Sequence, residues 1–214
     1  MPNYVANVIE MQGIGKLPLY RESEDDRTRD FDFNVLAPMP ETLLVTRAVG
    51  TSCEEGEAVR DMFRKRTFDQ IMNLARTGGM SEAERNGLLQ VVNTMLYGEK
   101  DWYDWAVCNW GTKWNAFETV ISDDRVAFWT AWSEPTPLFV RLSEMFPERE
   151  IRWSWAEEQI GLYAGYVILR NGEIIEEYKA PDCSEEACEI ARTCWGDELV
   201  DEWLAEKAAD EACA

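Results

Sequence analysis

Residues 102–132 read WYDWAVCNWGTKWNAFETVISDDRVAFWTAW and hold six of the ten tryptophans of the chain. Each such ring buries a large apolar surface, so a cluster of them indicates the position of a core. Apolar residues recur with helical spacing as far as Asn109, after which Gly111 and Thr112 break the helix and two alternating apolar runs follow. The stretch therefore predicts a helix, a turn and a β-hairpin at the centre of an α+β core.

The hairpin is predicted by apolar residues at every second position on both sides of Asp123 and Asp124, two residues that tolerate turn geometry. Its strands are residues 116–122 and 125–132, with alternating positions Phe117, Thr119 and Ile121 and then Val126, Phe128 and Thr130. Similar patterns predict further strands at residues 3–11, 151–155, 162–169 and 173–178, the last two joined by a turn at Asn171 and Gly172. We expect a mostly antiparallel sheet, with Trp110, Trp129 and Trp153 largely buried.

A helix is predicted directly after the hairpin, with Thr136 as its N-cap and Pro137 at its first position. Its buried face would consist of Leu138, Leu142 and Met145. The resulting order of strand, helices, hairpin, helix, strand and hairpin is a βαββαβ core with additions. We expect residues 1–181 to form this core.

The segment before the insertion gives weaker patterns. The mixed charges of residues 21–32 are typical of a solvated loop. Residues 31–44 contain Pro38 and Pro40, which exclude a helix interior and favour an extended segment over the core.

Residues 52–109 are predicted to be a helical insertion. Ser52 and Glu55 form a capping box before a helix that ends at Gly78 and Gly79, with an apolar face of Val59, Met62, Phe63, Ile71 and Met72. A second capping box, Ser81 and Glu84, opens a helix that ends at Gly98. Its apolar stripe is predicted to lie in the core and consists of Leu88, Val92, Met95 and Leu96.

Residues 182–214 differ from the rest in composition, since they hold eleven acidic residues against Arg192 and Lys207, a net charge of −9. Asp182 or Ser184 is the predicted cap of a helix that runs to Trp195, and a last helix follows Gly196. Leu199, Trp203 and Trp195 supply an apolar stripe. We therefore expect an acidic helical extension packed on the core.

The whole chain carries 41 acidic and 21 basic residues, a net charge of −20. Such a surface repels phosphate backbones, so we do not expect the chain to bind nucleic acid directly. We expect a protein partner with a basic surface instead. Histidine is absent and the six cysteines fit no zinc or iron–sulfur spacing, so no cofactor, metal site or catalytic residue is predicted. We see neither a signal peptide nor a membrane span, which favours the cytoplasm.

Several motifs, in this order along the chain, resemble the YubB-type ferredoxin-like domain proteins of bacteriophages and conjugative plasmids. The motifs are Met1-Pro2-Asn3, FDFN at 31–34 with PMP at 38–40, NWGTKWNA at 109–116, TAWSEP at 130–135, Leu142-Ser143, Phe146-Pro147 and the Tyr163–Gly165 region. The resemblance covers most of residues 1–170 and leaves the acidic extension outside it. It implies a ferredoxin-like fold, a mobile genetic element as the source, and no established enzymatic activity.

Two sets of residues are candidate binding sites. The first is an aromatic and polar surface of Asn109, Trp110, Lys113, Trp114 and Asn115. The alternative interpretation, which we favour, is that Trp110 and Trp114 are core rings and that the asparagines satisfy backbone groups of the turn. The second set consists of carboxylates of the extension, namely Asp197, Glu198, Asp201, Glu202 and Glu206. Glu157 and Glu158 would face opposite ways on a strand and so are not a catalytic pair.

Three functions remain open at this level. The first is a non-enzymatic accessory protein that binds and inhibits a host factor, such as a nuclease or DNA-binding defence protein, by an acidic surface that imitates DNA. The second is a small-molecule or nucleotide-binding enzyme on a ferredoxin-like sheet, which the lack of histidine and of a phosphate loop disfavours. The third is a virion assembly component. We expect the first, and an anti-restriction or anti-CRISPR role would belong to it.

Overall fold

The computed structural model describes residues 3–22, 29–46 and 53–213, with side chains from 56 to 207 in the last range. The chain divides into two compact units, which are described separately. Residues 1–38 and 109–214 form the sheet unit, and residues 39–108 form the helical unit.

The strands are β1 (Tyr4–Glu10), β2 (Tyr20–Glu22), β3 (Arg29–Phe31), β4 (Phe117–Ile121), β5 (Arg125–Ala131), β6 (Glu150–Glu157), β7 (Ala164–Arg170) and β8 (Glu173–Lys179). The helices are α1 (Phe33–Leu36), α2 (Glu41–Leu44), α3 (Cys53–Lys65), α4 (Phe68–Thr77), α5 (Glu82–Tyr97), α6 (Trp102–Asn109), α7 (Thr136–Met145), α8 (Glu185–Trp195) and α9 (Asp197–Cys213).

The main sheet of the sheet unit has the strand order β4-β5-β1-β6-β7-β8, and each neighbouring pair is antiparallel. The strands β5 and β6 lie on either side of β1 and are joined through α7, which makes a split βαβ unit. This arrangement confirms the predicted ferredoxin-like α+β fold, including the two hairpins at Asp123-Asp124 and Asn171-Gly172.

One face of the sheet packs against α7 and carries large rings. Trp153 is fully buried there, with ring centroids 4.4 Å from Phe139 and 5.8 Å from Phe128. Asn7 lies among these rings, where its Oδ1 accepts from Trp153 Nε1 at 3.2 Å and its Nδ2 donates to Thr130 Oγ1 at 2.9 Å. Because each polar group of this network has a partner, burying it is tolerated.

The other face of the sheet packs against α8 and is lined with small residues. Ala6, Ser154, Ala156 and Ala164 point to this side and are buried, as are Ala187 and Ala191 of α8. Small side chains on both surfaces allow the helix to lie close to the sheet. The predicted cap at Ser184 is confirmed, since its side chain accepts from Ala187 N.

The segment between β1 and the helical unit differs from the prediction. Residues 21, 22 and 29–31, expected in a solvated loop, instead lie in the paired strands β2 and β3, because Phe31 is buried against Phe128 and anchors the ribbon. The part expected to be extended instead forms α1 and α2 on either side of Pro38 and Pro40. Asp32 caps α1 through its Oδ1, a signal that the prolines obscured.

Three details of the sheet unit also correct the sequence interpretation. Pro135, not Thr136, is the N-cap of α7, and Met145 is exposed while Phe139 is buried. Trp110 and Trp153 are buried as predicted, but Trp129 is only half-buried.

The helical unit contains one helix break that the sequence interpretation missed. Residues 53–77 form α3 and α4 rather than one helix, because Thr67 and Gln70 make a capping box that starts α4. The second predicted capping box, Ser81 with Glu84, is confirmed, as is the end of α5 at Gly98. The predicted box at Ser52 lies outside the described residues.

The predicted core stripe of α5 is wrong for three of its four residues, since only Leu88 is half-buried. Val92, Met95 and Leu96 are exposed, whereas Asn86, Gly87 and Asn93 are buried. Asn93 makes hydrogen bonds to Thr42, Thr46 and Lys100, so hydrogen bonding and the small Gly87 fix which side of the helix faces inward. Among the described residues, no helix is long and apolar enough to cross a membrane.

Candidate functional site: loops at one end of the sheet and the face of α9

Four strand ends meet at one end of the main sheet. Tyr4 pairs with Ala131, Val5 pairs with Glu157, and Ala156 pairs with Ala164, so β1 and β7 begin where β5 and β6 end. The loop after β5 carries the TAWSEP motif, and the loop before β7 carries the Tyr163 region. The NWGTKWNA motif leads into β4, whose first residue, Phe117, pairs with Trp129 near the end of β5. Motifs far apart in the sequence are therefore neighbours in the fold.

Trp110 and Thr112 of the first loop point inward. Trp110 Nε1 donates to Ala37 O at 2.9 Å, and its ring packs edge-on against Phe33 with centroids 5.8 Å apart. Thr112 is buried and its hydroxyl donates to Ala131 O at 2.7 Å. Between them Gly111 has φ 82°, and an added Cβ would lie 2.6 Å from Pro137 Cδ, so only glycine fits.

Asn115 also serves the fold. Its Oδ1 accepts from Phe33 N and Ala116 N, both at 2.9 Å, and its Nδ2 donates to Asp32 Oδ1 at 2.7 Å. Asn109 is half-buried as the last residue of α6. The interpretation favoured for Asn115 and Trp110, that they hold the turn, fits these contacts.

Lys113 and Trp114 point outward, and here the two candidate interpretations separate. Trp114 is 37% exposed, and Trp132 from the second loop is 46% exposed. Lys113 Nζ lies 4.6 Å from the Trp114 ring centroid and 4.9 Å from that of Trp132, within cation–π range of both. Trp132 has φ 74°, a conformation that is strained for a bulky residue and that is concentrated at functional sites.

A buried carboxylate lies on the same loop. Glu134 accepts from the Tyr163 hydroxyl at 2.5 Å through Oε2 and from the Thr136 hydroxyl at 3.0 Å through Oε1. Burial, and then the hydrogen bond to Glu134, raise the pKa of Tyr163 above its usual range. Tyr163 therefore stays protonated at neutral pH and acts as a hydrogen-bond donor.

The five predicted carboxylates of the extension form the α9 acidic face: Asp197, Glu198, Asp201, Glu202 and Glu206. All five are exposed. Glu198, Glu202 and Glu206 are spaced four apart and so share one side of the helix. Asp201 and Asp197 lie 2.6 Å and 3.7 Å from the Arg192 guanidinium of α8, which ties the two helices together.

The apolar residues that seat α9 include Val200, which is fully buried, and Trp203, which packs against the same buried cluster as predicted. The predicted Leu199 is exposed. Trp203 is half-buried beside a groove of about 650 Å³ that is also lined by Glu158, Ile160, Cys183 and Lys207. Cys183 and Cys188 are free thiols, and burial raises the pKa of the Cys194 thiol far above its usual range. Within the part of the chain that the structure describes, no group of acidic or cysteine side chains could hold a metal ion.

Sequence reasoning missed Trp132, Glu134 and Tyr163 as members of this surface. The signal was present, because all three lie in motifs quoted for the family resemblance. What was missing was the arrangement that brings residue 132 beside residue 113 and residue 163 beside residue 134. That arrangement depends on strand pairing across more than 100 residues of chain.

The sheet, with α7 on one face and α8 on the other, defines a ferredoxin-like α+β domain. In agreement, residues 109–196 match the family model described as "Ferredoxin-like domain in Api92-like protein". Among solved structures, the chain is similar to the crystal structure of a protein api92 from Yersinia pseudotuberculosis, with 12% identity and a TM-score of 0.44. That alignment covers 85% of this chain and 99% of the other. No curated protein sequence matches the chain.

The matched segment differs in its bounds from the resemblance to phage and plasmid proteins that the motifs indicate. It includes residues 182–196, which the sequence interpretation left outside, so α8 belongs to the matched domain. It ends before α9, and it begins after β1, although β1 is a central strand of the sheet.

Proposed function

We propose that this chain is a non-enzymatic binding protein that engages and inhibits a protein partner with a basic surface. The single observation that carries the proposal is the α9 acidic face, a set of exposed carboxylates on a helix that is fixed at its first turns. A fixed array of like charges is costly in self-repulsion and favours partners of opposite charge.

The attachment of α8 and α9 to the sheet supports this role. Trp195 Nε1 donates to both Ala156 O and Glu157 O at 3.0 Å, and Arg125 Nη2 donates to Thr193 O at 2.7 Å. Val200 is buried at the start of α9, and Arg192 pairs with Asp201. The helix that carries the carboxylates therefore has a defined position before a partner arrives, which lowers the entropy cost of binding.

The partner class that fits best is a nuclease or another DNA-binding defence protein. A groove that binds DNA presents many lysines and arginines to phosphates, and a row of carboxylates can compete for the same contacts. The resemblance to phage and plasmid proteins supports a role in the host-cell cytoplasm, against host defence. The net charge of −20 disfavours direct binding of nucleic acid by this chain.

The test begins by capturing proteins from a bacterial lysate on the immobilised full chain. The proposal expects a basic partner that also binds duplex DNA and is displaced by it. Its affinity for the chain should fall by about tenfold or more between 50 and 300 mM salt, because such contacts are screened.

Two triple variants separate a specific surface from net charge. Glu198→Gln, Glu202→Gln and Glu206→Gln remove three charges from the α9 acidic face. Glu148→Gln, Glu150→Gln and Glu173→Gln remove three exposed charges from around the starts of β6 and β8, at the other end of the sheet. The first set should weaken binding and inhibition much more than the second. Equal effects, salt-independent binding or a captured partner that is not basic would each overturn the proposal.

A further inference from the structure

Two half-exposed indole rings and an ammonium group meet on the sheet unit. Lys113 Nζ lies within 5 Å of the ring centroids of both Trp114 and Trp132. Trp132 is more exposed than a ring of its size would be in a core, and its backbone is held in a strained conformation. The pair therefore already holds a cation in the absence of any partner.

We infer that Trp114 and Trp132 form an aromatic seat for an arginine side chain of the basic partner, and that Lys113 occupies the seat when the partner is absent. The inference rests on the proposed function, since it names an anchor point for the same kind of partner. Aromatic residues near the centre of an interface often carry most of its binding energy.

Charge complementarity favours a cationic occupant over other ligands. The sheet unit holds 30 acidic and 13 basic residues, a net charge of −17. A nucleotide base could also stack on indole rings, but its phosphate would be repelled by this field. Arginine fits better than lysine, because its planar guanidinium stacks on an aromatic face and is more weakly hydrated.

The seat is continuous with the α9 acidic face. Trp114 contacts Phe117, Phe117 contacts Trp129, and Trp129 contacts Trp195, with centroid separations of 6.4, 6.3 and 5.3 Å. Trp195 ends α8, two residues before Asp197 begins α9. A basic segment of a partner could therefore contact the seat and the carboxylates along one row of half-buried rings.

Glu134 and Tyr163 support the loop that presents Trp132. Ser133 Oγ donates to Gly111 O at 2.6 Å, and Thr130 Oγ1 donates to Ser133 O at 2.8 Å. With Glu134 bound to Tyr163 and Thr136, the residues on both sides of Trp132 are fixed. The ring is thus held in place at the surface by bonds that do not depend on Lys113.

The inference is tested with acetyl-tetra-arginine amide as the probe, titrated into the full ¹⁵N-labelled chain and followed through the indole N–H signals. The Trp114 and Trp132 signals should shift first, and acetyl-tetra-lysine amide should bind more weakly. Trp132→Leu should weaken binding by about two- to fivefold, the range of an exposed cation–π contact, while Trp132→Phe retains most of it. Trp114→Leu is the second variant if Trp132→Leu does not fold.

Lys113→Met is the decisive variant. It should strengthen binding of the probe more than Lys179→Met, which removes the same charge from an exposed lysine on β8. Equal gains for the two variants would overturn the inference, as would unchanged binding in Trp132→Leu.

If the glutamine variants of α9 lose binding and Trp132→Leu does not, the proposed function is supported and the aromatic seat is not. If only Trp132→Leu loses binding, the inference of the aromatic seat is supported and the proposed role of the α9 acidic face is wrong.

Discussion

The sheet unit and the helical unit of this chain solve the problem of stability differently. The sheet unit carries a net charge of −17, whereas the helical unit, with 11 acidic and 8 basic residues, carries only −3. Nine of the twelve largest fully buried side chains lie in the sheet unit, and only Leu43, Met62 and Ile71 lie in the helical unit. The sheet unit thus combines a dense apolar core with a charged surface.

Among the described residues, the helical unit has a smaller apolar core for its size and a larger share of exposed apolar side chains. Its exposed residues include many large apolar side chains: Leu44, Val45, Phe63, Phe68, Val91, Val92, Met95, Leu96, Tyr97 and Val107. Its buried positions include the polar Asn86, Asn93 and Asp101. Both α4 and α5 begin with capping boxes. We therefore expect local backbone signals and hydrogen bonds to have a larger share in the stability of this unit, and each unit to respond to a different kind of substitution.

The largest expected effect is that of Trp153→Ala in the sheet unit. The change removes a fully buried ring that contacts Phe31, Phe128 and Phe139, and it leaves Asn7 Oδ1 without the indole donor. We expect a loss of about 3–5 kcal/mol in the free energy of unfolding, measured by urea denaturation. Because two units can unfold separately, the transition should be followed by probes in each.

Met95→Ala is the matched change in the helical unit. Met95 is 81% exposed although its spacing predicts a core position, so its truncation should change the free energy of unfolding by no more than about 0.5 kcal/mol. A loss as large as that of Trp153→Ala would show that the stripe of α5 is covered after all. The contrast between the units would then disappear.

The sequence predicted the sheet unit well for a physical reason. Strands that are buried on one face alternate every second residue, and a slip of one position would expose the whole set, so pattern and register agree. The turns at Asp123-Asp124 and Asn171-Gly172 and the cap at Ser184 are local signals that depend on adjacent residues alone.

The helical unit and the candidate site were harder to predict because they depend on contacts distant in sequence. The inward side of α5 is fixed by Asn93, whose partners Thr42 and Thr46 lie about 50 residues earlier. The site brings Lys113 to Trp132, and Glu134 to Tyr163, through strand pairing and loop conformation. The spacing of apolar residues along the sequence predicts neither the hydrogen bonds of Asn93 nor the contacts of the site, because both depend on polar groups and distant residues.

Asn93→Ala tests whether hydrogen bonds hold the helical unit. Asn93 is fully buried, and its loss leaves the Thr42 and Thr46 hydroxyls and the Lys100 carbonyl without this partner. Leaving buried polar groups unpaired should lower the free energy of unfolding of this unit by about 1–3 kcal/mol. The free energy of unfolding is measured by urea denaturation, and the local stability of α5 is measured separately by hydrogen exchange of the amides of residues 82–97.

Asn73→Ala is the control, because Asn73 is an exposed residue of α4 in the same unit. It should leave the stability nearly unchanged. If the two alanine variants have the same free energy of unfolding, hydrogen bonding to Asn93 does not determine the inward face of α5. The explanation given for the exposure of the predicted apolar stripe is then wrong.

Two glycines of the helical unit should respond to the same substitution in opposite directions. Gly56 lies inside α3, where an added Cβ would meet no atom within 4 Å, so Gly56→Ala should stabilise the unit by up to about 1 kcal/mol. Gly98 also has open space around it, but it ends α5 with φ 83°. Alanine there must adopt a left-handed conformation, and Gly98→Ala should cost about 1–2 kcal/mol.

The two glycine variants separate the effect of space around the added Cβ from the effect of backbone conformation. If stability in the helical unit depended on packing, both substitutions would be neutral, since neither Cβ has a neighbour. Opposite signs in the thermal midpoints of the two variants would show instead that local backbone preferences set the stability of this unit. The sheet unit offers the reverse case at Gly165, where an added Cβ would lie 2.6 Å from Trp155 Cζ2 and 2.7 Å from Tyr178 O. There the dense packing of the sheet, and not the backbone, excludes alanine.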